Sequence, residues 1–376
     1  MNNQLVIRSF RQISAALLLC SAPFFVGCNN PVDPAPTPGT GTTGPGTGTA
    51  TTPGTGTATT PGTGTTTTPG TGTTTTPGTG TTTIPGSGNA TVVVTASFVA
   101  AQDNLNFLKA AIAKAGLTDE INKGGITLFA PSDDAFRAAG YATAAAVSAA
   151  PAAYLQRILR YHIVGSVIDL SAIPTAVNTS YQTNLADGRL TVYKVSNADV
   201  SVNTAKIVKG NNPTTGSVVH IVNQVLKAPS STANDQAQAN NELTFFVVAI
   251  GRAGADVVKL YNENTPNGIT IFAPTNAAFR AAGFADEAAI RAADPVRLAR
   301  ILKYHVLNYR AFTQSFQNGA DLVTAEGTSL RFNVSGGKVT LTGKSNGTNV
   351  ANILTADMVA SNGVIHVIDR LLLPTP

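Results

Sequence analysis

The chain has 376 residues, of which 12% are charged and 6% aromatic, and its 25 basic and 20 acidic side chains give a formal net charge of +5. No run of lysine or arginine concentrates that surplus, which argues against a nucleic-acid-binding stripe. Both cysteines, Cys20 and Cys28, lie at the N-terminal end, so disulfides, cysteine-held metals and thiol catalysis are excluded from everything that follows them.

Residues 1–27 read as a secretory signal. Arg8 and Arg11 supply the positive start, Ile13 to Cys20 and Phe24 to Val26 the apolar run, and Gly27 the small residue. The run is short and broken by Pro23, which argues against a membrane-spanning helix. A small residue followed by Cys28 resembles the bacterial lipoprotein signal. That resemblance implies lipidation of Cys28 as the new N-terminus, and Asn29, in place of aspartate, implies the outer membrane.

Residues 28–90 are almost entirely Thr, Gly, Pro and Ala, with Pro-Gly at Pro45, Pro53, Pro61, Pro69, Pro77 and Pro85. Nothing here offsets the entropy of ordering, so a disordered tether is expected. A flexible coil of roughly 60 residues has an end-to-end distance on the order of 45 Å. Glycine does not recur at every third position, which excludes a collagen helix.

Beyond the tether the chain repeats itself. Phe129-Ala130-Pro131 returns 143 residues later as Phe272-Ala273-Pro274, and Phe136-Arg137-Ala138-Ala139-Gly140 as Phe279-Arg280-Ala281-Ala282-Gly283. Tyr161-His162 returns as Tyr304-His305. Val219-His220-Ile221 returns as Ile365-His366-Val367, now 146 residues later, and all four histidines of the chain fall at these duplicated positions. Two domains are expected, 91–229 and 242–376, joined by a polar linker over 230–241.

Within the first copy, Leu105, Leu108 and Ile112 predict a helix over Asn104 to Ala115, stopped by Gly116. Ile126 to Ala130 predicts a short buried strand, with Ser132 capping the next helix and Asp133 and Asp134 at its positive end. The second copy has Asn276 and Ala277 at those positions, so the acidic pair reads as helix-start residues and not as a metal or acid–base pair. Another helix begins near Pro151 and Pro295, with Leu155, Ile158 and Leu159 matching Leu298, Ile301 and Leu302 on its buried stripe. Strands are predicted over Leu190 to Val195, Val200 to Val208, Leu330 to Val334 and Lys338 to Thr342, with a hairpin at Gly336-Gly337. Val218 to Leu226 and Val364 to Leu373 close the copies. Helices early and strands late give an α+β fold with a largely antiparallel sheet.

Together these landmarks resemble the fasciclin domain, twice over residues 92 to 374. The motifs are Thr127 to Phe136 and Thr270 to Phe279, the two Tyr-His pairs, and the closing strands Ser217 to Asn223 and Gly363 to Asp369. The resemblance implies a β-sandwich-like sheet core with packed helices. It also implies adhesion through matrix, cell-surface or biofilm components, protein or carbohydrate. It makes Tyr161, His162, Tyr304 and His305 candidate binding contacts. The apolar residues around the histidines favour another role, a buried ring bonded to backbone.

No enzyme is expected. There is no Gly-x-Ser-x-Gly elbow, no third ligand shared by both copies beside the histidines for zinc, and no matched carboxylate pair. No cofactor and no metal are expected. The sequence reads as an exported, lipid-anchored surface adhesion protein. An inert envelope spacer, or capture of a carbohydrate or small ligand between the domains, are the alternatives.

Overall fold

The computed structural model describes residues 92–376. The signal, Cys28 and the tether lie outside the described residues. The first head runs α1 (Thr95–Ala100), α2 (Asn106–Ala115), α3 (Thr118–Ile121), β1 (Thr127–Pro131), α4 (Asp133–Ala138), α5 (Ala144–Ala149) and α6 (Ala152–Tyr161), then β2 (Ile163–Val164), β3 (Asn178–Gln182), β4 (Arg189–Ser196), β5 (Asp199–Val202), β6 (Ala205–Thr214) and β7 (Ser217–Val222). The second repeats it with α7 (Ala233–Gln238), α8 (Thr244–Ala253), α9 (Ala255–Asn262), β8 (Ile269–Pro274), α10 (Asn276–Ala281), α11 (Glu287–Ala292) and α12 (Pro295–Tyr304), then β9 (Val306–Leu307), β10 (Asp321–Val323), β11 (Ser329–Ser335), β12 (Lys338–Thr342), β13 (Ala351–Val359) and β14 (Gly363–Ile368).

Local chemistry sets the boundaries. Gly116 ends α2 in the left-handed region at φ 66°, and Leu117 N–H returns to Ile112 O across it, closing the helix end. Ser132 and Thr275 cap α4 and α10 by accepting the amides of Ala135 and Ala278. Gly336 and Gly337, both at positive φ, make the two-residue turn in which Ser335 pairs with Lys338.

Each head contains one seven-stranded sheet, in the orders β2-β1-β7-β6-β5-β4-β3 and β10-β11-β12-β13-β14-β8-β9. All pairs are antiparallel except β1 with β7 and β8 with β14. The sheet curls until its ends nearly meet, through a Val164–Thr183 bridge in the first head and a 2.7 Å bond from Ala325 N–H to Val306 O in the second. The sandwich-like core is therefore made by one sheet folding over itself. Alternation along the central strands divides each head into two cores. Leu128, Ala130, Val219 and Ile221 face α2 and α6, whereas Phe129 and Val222 face the sheet interior with Leu190, Val192 and Val202. The second head does the same, with Ile271 and Ala273 toward the helices and Phe272 and Ile368 inside.

Three expectations need correction. The stretch expected as a linker, 230–241, contains α7, whose Ala233 and Ala237 are buried in the second helical core. Alanine is too short to advertise an apolar face among Ser, Thr, Asn and Gln. Val200 to Val208 is two strands, because Asn203 turns the chain at φ 49°. The closing strands stop at Val222 and Ile368, beyond which Leu226 and Leu372 serve the interior as loop residues.

Candidate functional site

The duplicated polar residues form the same network in both heads. At the end of α6, His162 Nδ1 donates to Ile158 O at 2.8 Å, and its Nε2 accepts Leu226 N–H at 3.0 Å. His305 repeats this with Ile301 O and Leu372 N–H, at 2.8 and 2.9 Å. Each ring thus ties its helix to the segment leaving the last strand. His220, in β7, donates from Nε2 to Ile168 O and accepts Asn211 N–H at Nδ1, both at 2.9 Å. His366 does the same with Ala311 O and Asp357 N–H, at 3.1 and 3.2 Å.

One nitrogen donates and the other accepts from an amide, so every ring is bound as neutral imidazole. Burial holds His162, His220 and His305 down at about 4, and His366 also below the usual histidine range.

Asn211 and Asp357 explain why the strand histidines exist. Both sit at bulges in β6 and β13 with φ of 53° and 59°, a conformation Asn and Asp tolerate better than most residues. The bulge frees a backbone N–H, and the imidazole accepts it. The bulge side chains also accept amides from the loop opposite, Leu170 N–H in one head and Thr313 N–H in the other. The motif threonines act similarly. Buried Thr127 and Thr270 each donate to one carbonyl, of Ser166 and Tyr309, and accept one amide, of Ile168 and Ala311.

Tyr161 and Tyr304 run from the inner core to opposite carbonyls. Tyr161 Oη donates to Arg189 O and accepts Asn203 Nδ2–H, while Tyr304 Oη donates to Ser329 O and accepts Lys344 N–H. Burial pushes the Tyr161 hydroxyl up to about 12. Tyr161, His162, Tyr304 and His305 all have no accessible surface. The contact role implied for them is therefore not met by the geometry: no partner can touch these side chains while the heads are folded.

Asp133 and Asn276 are equivalent and buried. Asp133 accepts Phe107 N–H at 2.8 Å, and Asn276 accepts Phe245 N–H at 2.9 Å. A carboxamide oxygen serves this bond as well as a carboxylate, so the charge need not repeat. Asp134 is exposed and paired with Arg137. Among the described residues no group of three or more His, Cys, Asp or Glu could hold a metal.

What the two heads do not share lies where they meet. Asn178, Ser180, Thr191 and Tyr193 occupy the face of β3 and β4 that points away from the first core. Ser180 Oγ donates to Pro266 O at 3.1 Å, Gln317 Nε2 donates to Tyr193 Oη at 2.9 Å, and Val359 packs against the inner core of the first head. Thr191 and Tyr193 are only 2% and 5% exposed. Their counterparts in β11 are an exposed Arg331 and a half-buried Asn333.

Arg310 lies at the same junction with 2% of its surface exposed. Its counterpart in the first head is Val167, 54% exposed. The guanidinium donates to the carbonyls of Ala360, Ser361 and Gly363, meets no carboxylate, and is lowered by burial to about 10. It crosses Gly268, where an added Cβ would come within 2.6 Å of its Nε. The sequence carried no signal for this site, because Gly165, Ser166 and Ile168 around Val167 are replaced as well, by Asn308, Tyr309 and Ala311, and Arg310 is one change among several.

Human periostin is 29% identical over 260 residues, covering 69% of this chain and 29% of periostin. Pig transforming growth factor-beta-induced protein ig-h3 is 29% identical over 253 residues, covering 67% of this chain and 35% of that protein. The chain thus spans about a third of the length of these curated relatives. Protein sll1483 of Synechocystis is 35% identical over 156 residues, 41% of this chain and 79% of its own length. The solved FAS1 domain pair of the insect cell adhesion molecule fasciclin I aligns over 71% of this chain and 95% of its own, at 19% identity and a TM-score of 0.35. Residues 103–229 and 237–374 each match the fasciclin domain, and the chain belongs to that family as a tandem pair.

Proposed function

We propose that this chain is an exported, non-enzymatic adhesion protein, held to the cell envelope by a lipid on Cys28 and presenting its two fasciclin domains at the end of the 28–90 arm. The observation that supports it best is how the polar signature is used. All four histidines and both paired tyrosines are bonded to backbone in the interior. The duplicated chemistry therefore serves the scaffold, leaving the varied outer surfaces for recognition. Family membership supports the same reading, with partners among matrix, cell-surface or biofilm components.

Two weak sites on one arm also gain from effective concentration, so neither head has to bind tightly. Cells carrying the full chain are expected to attach to a matrix-coated surface or build biofilm better than cells whose chain stops after the arm. Equal attachment by the two strains would leave the envelope-spacer reading in its place. Replacing Cys28→Ala is expected to release the protein from the membrane fraction into the medium.

A further inference from the structure

We propose that the junction between the two heads is a binding site for a single neutral, hydroxylated ring, a monosaccharide unit. The site is a cavity of about 180 Å³ to which both heads contribute, Asn178 and Tyr193 from the first and Tyr309, Phe316 and Gln317 from the second. Its size sets the scale of the seated group. Sites for drug-sized ligands run to roughly 300–1,000 Å³, so this one seats a single ring.

Its chemistry narrows the choice. None of the residues lining it carries a charge, which disfavours phosphates, carboxylates and amino-acid zwitterions. Three aromatic side chains supply flat apolar surface of the kind a sugar's C–H face covers.

Polar groups stand beside them with capacity to spare. Gln317 spends its Nε2 on Tyr193 Oη, which leaves its carbonyl oxygen to accept from a hydroxyl. Asn178 Oδ1 is buried at the rim and makes no hydrogen bond, a cost that a donating hydroxyl would relieve. Buried polar atoms without partners are rare in folded proteins, which makes Asn178 Oδ1 a polar pointer to an occupant.

A ring seated there touches both heads, so binding favours the docked arrangement. The site stands on the cavity alone and does not require the adhesion reading.

The test is saturation-transfer NMR on the purified full chain with methyl β-D-glucopyranoside, methyl β-D-galactopyranoside and N-acetyl-D-glucosamine, and with D-glucuronate as the charged control. At least one neutral ring is expected to bind with a dissociation constant of about 1–10 mM, the range open to so small a ligand. Gln317→Ala should weaken it at least tenfold, and Ala320→Phe, which fills the cavity without removing a core contact, should abolish it. Both variants are to be compared at unchanged melting temperature. Should one unfold, the other decides. No transfer from any neutral ring at ~50 mM, about five times the weak end expected for one ring, would overturn the site. So would binding that survives either folded variant, or glucuronate binding as well as the neutral sugars.

Discussion

His162 and His305 act at the level of single hydrogen bonds, and their neutrality has a consequence for stability. A ring held near 4 in the folded head recovers its ordinary value near 6.5 in the unfolded chain. Between those values the unfolded chain binds the extra proton, so stability is constant above pH 6.5 and falls as pH drops toward 4. The difference corresponds to on the order of 3 kcal/mol per ring. Each head holds two such histidines, and Asp357 beside His366 offsets only part of the desolvation there. The combined loss approaches the whole stability of an ordinary domain, ~5–15 kcal/mol. Both heads are therefore expected to unfold between pH 6 and 4, read by circular dichroism during acid titration. His220→Gln should lower the stability of the first head at pH 7.5 and also flatten its pH dependence. A curve that stays level from pH 7 to 4 would mean that the rings take up protons inside the fold.

Among the elements, α7 makes the sharpest test, because a linker and a core helix predict opposite outcomes. Ala237 is buried against the second core while neighbouring Gln238 is exposed. Ala237→Arg forces a charged side chain into packed space and should destabilise the second head by about 2–4 kcal/mol. Gln238→Arg should cost less than about 0.5 kcal/mol. Equal, small effects in urea denaturation would return residues 230–241 to the status of a linker.

The same contrast marks what could be read from the chain. The strands β1 and β8 and the helices α6 and α12 were legible because their apolar residues run together or recur at helical spacing. The strand β13 was not, because bulges around Thr355 and the left-handed Asp357 destroy its alternation. The Tyr-His pairs were legible as duplicated residues. The bulge partners of His220 and His366, Asn211 and Asp357, were hidden by a change of residue type and by the three-residue insertion before them.

At the scale of the whole molecule, the docking of the heads could not be read from sequence because the surface it buries is polar. On β4, Thr191 and Tyr193 alternate with Leu190 and Val192 as a solvated strand face would, and β3 is polar at Asn178, Thr179 and Ser180. The second head keeps that face open and places Arg331 on it, paired with Asp321. An arginine is thus compatible with the sheet itself, and Thr191→Arg should leave an isolated first head folded. In the docked pair the same substitution puts a charge where Thr191 is almost fully enclosed and Arg310 already lies buried nearby. Two uncompensated cations in one junction outweigh the few hydrogen bonds that hold it. With Cys28 replaced by Ala, no other cysteine competes for labels beyond the signal, so spin labels can be placed at exposed Lys114 and Arg291 through introduced cysteines. Electron–electron double resonance should give one narrow distance for the parent chain and a broad distribution for Thr191→Arg, with far-ultraviolet circular dichroism unchanged. Equally broad distributions in both proteins would mean that the heads move independently and that their junction does not hold. Equally narrow ones would mean that it rests on contacts other than the outer face of β3 and β4.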